Sequence, residues 1–133
     1  MKTVWYIDDD KEMIQAVRLM LKMLKFRTIS FNDARAAARS LLNGEHPTLI
    51  ILDINMPKVS GIEFLTFLRK KETWKGIPVV MLSSEADDVQ VDEALALGAD
   101  SYVTKPVMIN ELENAIDQAI TNRLEELGRE ESA

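Results

Sequence analysis

The chain contains no cysteine and only one histidine, His46, among its 133 residues. Without thiols there is no disulfide framework and no thiolate metal site. His46 precedes Pro47 in a stretch that reads as a surface loop, so it offers neither an imidazole metal cluster nor a phosphotransfer histidine on a helix face. Long apolar runs are missing too. Residues 49–52 and 79–82 are far shorter than the roughly 20 residues that cross a bilayer. Asp8, Asp9 and Asp10 interrupt the place where a signal peptide needs its apolar region, so the expected location is the cytoplasm. Positive charge is in deficit, with 16 Lys and Arg against 22 Asp and Glu and a net charge of -6. Such a body lacks the charge that a non-specific nucleic-acid binder uses to neutralise phosphates, although it can act through a protein that binds DNA. With 47% hydrophobic and 29% charged residues, the composition is that of one globular domain with a single core.

What is present is a hydrophobic pattern that keeps changing period. Residues 4–7 form a short apolar run, and Met13, Ile14, Val17, Met20, Leu21 and Leu24 then follow helical spacing. Residues 28–31 read as a second strand. Asn32 is placed to cap a helix carrying Ala34, Ala37, Ala38, Leu41 and Leu42, which Asn43-Gly44 ends. Residues 49–52 are a third strand. Ser60 and Glu63 form a capping box for a helix through Phe64, Leu65 and Leu68. Gly76 and Pro78 then punctuate before a fourth strand at 79–82. Ser84 with Asp87 opens the next helix, which closes at Gly98, and a fifth strand follows at 101–104. The last helix carries Leu112, Ile116, Ala119, Ile120 and Leu124 on one face, and residues 128–133, with Glu130 and Glu131, read as a solvated tail. Regular βα alternation implies an α/β fold, a doubly wound parallel sheet with helices on both faces.

Ligands of such sheets bind beyond the carboxyl ends of the strands, where the strand order reverses. The first strand ends in Asp8, Asp9 and Asp10, the third in Asp53 with Asn55 beyond, the fourth in Ser83 and Ser84, and the fifth in Thr104 and Lys105. With the order 2-1-3-4-5, three carboxylates, a hydroxyl and an ammonium converge. Clustered carboxylates need a cation, and an all-oxygen donor set favours Mg²⁺ over zinc or copper. A carboxylate beside the cation can attack a phosphoryl group. The ammonium and hydroxyl can then hold the phosphoryl oxygens.

Four pieces of the chain together resemble the receiver domain of two-component response regulators, of the single-domain, CheY-like chemotaxis type. They are Ile7-Asp8-Asp9; Leu52-Asp53-Ile54-Asn55-Met56-Pro57 with Gly61; Val80-Met81-Leu82-Ser83; and the stretch from Gly98 to Pro106. The resemblance covers residues 1–122 and implies a flavodoxin-like (βα)5 three-layer sandwich with a five-stranded sheet. It implies a receiver domain over residues 1–127 and a polar C-terminal tail over 128–133. It makes Asp53 the phosphoacceptor, fed by a histidine kinase or another phosphohistidine carrier. Asp9 and Asp53 bind Mg²⁺ directly, Asp8 acts through a bound water, and Asn55 gives its backbone carbonyl. Lys105 pairs with Asp53 at rest and with the phosphoryl group afterwards. Ser83 and Tyr102 are the switch residues, and the Lys105–Pro106 bond is cis. The output surface spans the fourth helix, fifth strand and fifth helix, with Val91, Leu95 and Tyr102, and meets a downstream protein or a second copy. On this reading the chain is not an enzyme acting on outside substrates, and no output module follows residue 122.

Other residues have plainer readings. Asp10 starts the first helix, and Ser84 caps its own. Glu85 and Asn55 flank the phosphoryl position in the family, where they influence the approach of water; alternatively, Glu85 merely opens its helix. Met13, Met20, Met23 and Trp5 read as core, and the loop around Trp74 carries no signal. The chain departs from the usual family pattern at Met108, where a capping Ser or Thr is common, and at Ile54, which puts no tryptophan beside Asp53. Two alternatives stand against the receiver reading. One is an unphosphorylated scaffold of the same fold. The other is a phosphatase resembling the haloacid dehalogenases, with Asp8 as nucleophile and Asp10 as partner. Glu12 departs from the residue that family carries two places after its second Asp.

Overall fold

Each branched apolar run pairs with a parallel neighbour, and each amphipathic stretch packs back over the sheet. In the computed structural model the order is β1 (Thr3–Ile7), α1 (Lys11–Met23), β2 (Arg27–Phe31), α2 (Ala34–Leu42), β3 (Leu49–Asp53), α3 (Gly61–Arg69), β4 (Val79–Ser83), a single 3₁₀ turn (Glu85–Asp87), α4 (Asp88–Ala96), β5 (Ser101–Thr104) and α5 (Ile109–Ser132). The structure describes residues 1–132, without the side chains of Glu85 and Ser132. The sheet is parallel, in the order β2-β1-β3-β4-β5. Strand order, element order and three-layer architecture are those expected from the sequence. Among the described residues no helix is long and apolar enough to cross a membrane.

Side chains alternate across a strand, so the sheet divides two cores. Trp5, Ile7, Ile50, Leu52 and Met81 face α2, α3 and α4, against Ala37, Phe64, Leu65, Leu68 and Ala94. Val4, Tyr6, Ile51, Val80 and Leu82 face α1 and α5, against Val17, Leu21, Leu112, Ile116 and Ala119. Each fully buried leucine or isoleucine contributes about 1.5–3 kcal/mol. Truncating one such as Leu68 to alanine costs about 2–5 kcal/mol, because the helix–sheet layer cannot collapse into the void.

Local chemistry fixes the helix starts. Asp10 caps α1, its carboxylate accepting from the amides of Glu12 and Met13 at 3.0 and 3.3 Å. The cap of α2 is Asp33 rather than Asn32, since the Asp33 carboxylate accepts from Ala36 N at 2.8 Å. Ser60 and Glu63 make the expected capping box on α3. Ser84 opens only a 3₁₀ turn, and its amide and hydroxyl both donate to Asp87. Gly61 is required: a Cβ there would stand 2.2 Å from the backbone oxygen of Asp53. This close approach lets α3 begin against the end of β3.

Three regions differ from the sequence pattern. Where the pattern gives a solvated tail, residues 128–131 are exposed as read but helical: α5 continues through Ser132, while Ala133 lies outside the described residues. Glu130 reaches Lys75 Nζ at 2.8 Å, and Leu127 lies over Gly76, so this segment has tertiary partners. Trp74, which carried no signal, is buried with its ring 4.9 Å from that of Phe67. Met23 is exposed, whereas Met13 and Met20 pack at the margin of the α1/α5 core as expected.

Candidate functional site

Parallel strands deliver their carboxyl ends to one edge, and the polar residues just past the apolar runs gather there. Oxygens of Asp8, Asp9 and Asp53 lie within 4.8 Å of one another. Asp8 and Asp53 are buried and Asp9 is exposed, so the cluster opens to solvent on one side. Lys105 Nζ stands 3.6 Å from Asp53 Oδ1. The Lys105–Pro106 bond is cis, as expected. Ser83 is buried in register with Thr104, and its hydroxyl makes only a long 3.5 Å contact to the carbonyl of Val103.

Burial and the neighbouring Asp8 push the Asp53 carboxyl up to about 7, while Lys105 and the amide of Asn55 pull it the other way. Asp53 therefore resists ionising beside Asp8 until a cation enters. Asp8 is held from both sides: Tyr6 donates its hydroxyl to Oδ2, and the amide of Asp10 donates to Oδ1 at 3.0 Å. Burial and this contact drive the Tyr6 phenol far above its ordinary value. The donors are hard oxygens with one open approach, which suits a small divalent cation that keeps part of its water.

The Asn55 side chain has a task that the sequence did not disclose. Its Nδ2 donates to both carboxylate oxygens of Asp87 at 2.9 Å, so the loop after β3 is tied to the turn after β4. Tyr102 is 49% exposed on β5, and Leu95 is 39% exposed on α4. Val91 does not belong to that outer surface. It is 7% exposed and packs with Ala94 in the α2/α3/α4 core, because those two positions form the inward face of α4. The side chain of Glu85, expected to flank the site, lies outside the described residues.

A second polar cluster escaped the sequence pattern. Asp100 is buried between Arg69 and Arg123, with contacts of 3.0 and 2.9 Å, and its Oδ2 also accepts from Val79 N at 2.8 Å. Both guanidinium groups donate further to the carbonyls of Lys75 and Gly98. Burial and the adjacent Arg123 pull Arg69 down to about 10, which leaves it charged at neutral pH. This network lies where β4 and β5 begin, at the opposite end of those strands from Ser83. Its residues are 23 to 54 positions apart in sequence, so no local spacing announces them.

Residues 4–117 match the family profile described as response regulator receiver domain. The chain is 37% identical over 112 residues to the transcriptional regulatory protein KdpE of Mycobacterium tuberculosis, covering 84% of this chain and 47% of that protein. It is 33% identical over 113 residues to protein RcaC of Microchaete diplosiphon, covering 85% of this chain and 17% of that one. It thus spans less than half the length of either relative. Among solved structures, the chemotaxis protein CheY4 of Vibrio cholerae superposes with a TM-score of 0.79 at 28% identity, over 90% of this chain and 98% of that one.

Proposed function

This chain belongs to the response regulator receiver domain family, and on that premise we propose that Asp53 accepts a phosphoryl group from a phosphohistidine, with Mg²⁺ held by Asp8, Asp9 and Asp53. The observation that carries the proposal is the meeting of those three carboxylates with Lys105, whose Nζ is 3.6 Å from Asp53 Oδ1. Bound Mg²⁺ supplies charge neutralisation and polarises the phosphoryl oxygens. Asp9 and Asp53 would be its direct carboxylate ligands, Asp8 would act through a water, and Asn55 would add its backbone carbonyl. The Asp53 carboxylate would attack phosphorus as the P–N bond of the donor breaks, the imidazole leaving with the electron pair. Lys105 leaves its rest contact with Asp53 and takes a phosphoryl oxygen.

Ser83 is free to turn toward the phosphoryl group, since its present contact is long. Tyr102, now outward, follows into the space released. The surface of α4, β5 and α5, with Leu95 and Tyr102, then favours a downstream protein partner or a second copy. The phosphodonor is a histidine kinase or a phosphohistidine carrier, and the chain works in the cytoplasm. It catalyses its own phosphorylation and dephosphorylation rather than turnover of an outside substrate.

The test is incubation with Mg²⁺ and a small acyl phosphate, followed by mass measurement and peptide mapping. The expected result is one phosphoryl group on Asp53, lost in Asp53→Asn. Label on Asp8 with turnover of a phosphate ester overturns the proposal in favour of a phosphatase. No label with the fold intact overturns it in favour of a scaffold.

A further inference from the structure

We propose that the Tyr6 hydroxyl is a positioning group that competes with the cation for Asp8 and so limits how tightly the site holds Mg²⁺. The inference rests on the metal reading above and concerns a residue outside the acidic cluster. Tyr6 lies on β1 and Asp8 one residue past its end, two positions on, so the two side chains reach the same side of the sheet. The Tyr6 ring is fully buried with Val17, Leu21 and Ile51 in the α1/α5 core, and its hydroxyl donates to Asp8 Oδ2.

Packing does not ask for that oxygen. Phenylalanine fills the same volume without placing a hydroxyl inside an apolar layer, where an unpaired polar group is penalised. What the hydroxyl does is serve Asp8. That carboxylate is 0% exposed, and among the described residues it has no lysine or arginine partner, since Lys105 faces Asp53. With no cation bound, its support comes from the Tyr6 hydroxyl, the amide of Asp10 and the Asp53 carboxyl while that group holds its proton. A hydrogen bond to a buried carboxylate takes up part of its charge. The free site is thereby made tolerable, and the gain from bringing in a divalent ion is reduced. The hydroxyl also fixes the Asp8 rotamer, but the amide of Asp10 does that independently, so the charge effect governs.

The test is calorimetric titration with MgCl₂ alone, paired with thermal melts with and without Mg²⁺. Tyr6→Phe is expected to bind Mg²⁺ about three- to tenfold more tightly, because its free site has lost a charged-group hydrogen bond. Its melting deficit without Mg²⁺ should narrow at saturating Mg²⁺. A merely structural hydroxyl gives the same deficit in both conditions. In an Asp8→Asn background the Tyr6→Phe change should alter Mg²⁺ affinity less than about twofold, since the two groups act as a pair. An isosteric check uses Tyr102→Phe, in which Tyr6 is the remaining tyrosine. Incorporating 3-fluorotyrosine there strengthens the donor and should weaken Mg²⁺ binding. Unchanged or weaker binding by Tyr6→Phe overturns the inference, as does an equal effect in the Asp8→Asn background. Absence of Mg²⁺ binding by the unaltered protein instead overturns the metal reading, which separates the two failures.

Discussion

Asn55 Nδ2 donates to both carboxylate oxygens of Asp87, each at 2.9 Å. The contact joins the loop that carries Asp53 to the turn that follows Ser83. Asp87 is otherwise held by the amide and hydroxyl of Ser84 at 2.7 and 2.9 Å. The start of α4 therefore rests on one small polar knot.

Removing the knot should loosen α4 before it unfolds the domain. Asn55→Ala is expected to lower stability by about 1–2 kcal/mol, the scale of hydrogen bonds to a partly buried carboxylate. Urea denaturation measures the loss, and amide hydrogen exchange should rise over residues 85–96 while β1 and β3 stay protected. Burial opposes ionisation of Asp87, but Ser84 and Asn55 outweigh it and hold the carboxyl below its ordinary value. A depressed carboxyl stabilises the fold above its unfolded value of about 3.9, and that support is lost as pH falls further. The Asn55→Ala deficit should therefore shrink below about pH 4.

Asp53 works in the opposite sense. Its carboxyl is raised to about 7 by burial and Asp8, whereas in the unfolded chain it titrates near 3.9. Between those values the folded state holds a proton that the unfolded state has released. Without metal, stability should therefore fall as pH rises from about 4 to about 7, and Asp53→Asn should flatten that slope. Mg²⁺ expels the same proton, so calorimetry near pH 6 in buffers of different ionisation enthalpy should detect its release. A slope unchanged in Asp53→Asn would assign the effect to another group.

The Arg69–Asp100–Arg123 network should be costly to break from the middle. Asp100→Ala leaves two buried guanidinium groups without their carboxylate and is expected to cost about 3–5 kcal/mol. Arg69 remains charged at neutral pH, so the deficit should be nearly constant from pH 6 to 8, with Arg69 itself titrating near 10. Urea unfolding from about pH 6 to about pH 11 tests both statements.

Gly61→Ala should damage chemistry and stability together. The new methyl meets the Asp53 carbonyl oxygen at 2.2 Å, and backbone on both sides leaves little room to yield. An overpacked contact of this kind costs about 1–3 kcal/mol. Because the displaced atom belongs to Asp53 itself, phosphoryl labelling should slow by more than the stability loss explains. Labelling at a rate equal to that of the unaltered protein would show that the loop relaxes without moving the carboxylate.

Much of this molecule was legible because its signals are local. Residues 49–52 and 79–82 are continuous apolar runs, as parallel strands buried on both faces require, and the polar residues Asp53 and Ser83 follow them directly. Asp8, Asp53, Ser83 and Lys105 could therefore be placed at strand ends without coordinates. What stayed hidden depends on partners far along the chain. Asp100 gains meaning only when Arg69 and Arg123 meet it, and Asn55 only when Asp87 does. Val91 shows the limit of helical spacing on a short element. Within nine residues of α4 the apolar positions do not reveal which faces the sheet, and tertiary packing turned Val91 inward. The end of α5 was obscured because charged residues read as solvation, while Lys75 was waiting for Glu130 on another element.

The buried arginine–aspartate network also makes the two ends of β4 and β5 unequal. At their start, two guanidinium groups, a carboxylate and the amide of Val79 fasten both strands to α3 and α5. At their far end the Lys105 amide still donates to the Ser83 carbonyl at 2.7 Å, but the Ser83 hydroxyl has one long contact and the Lys105 ammonium a loose ion pair. The polar side chains are thus clamped at one end of the two strands and loosely held at the other. A change of charge at Asp53 arrives at the loosely held end. The side chains free to respond there are those of Ser83 and Lys105, while Asp100, Arg69 and Arg123 are already fully engaged.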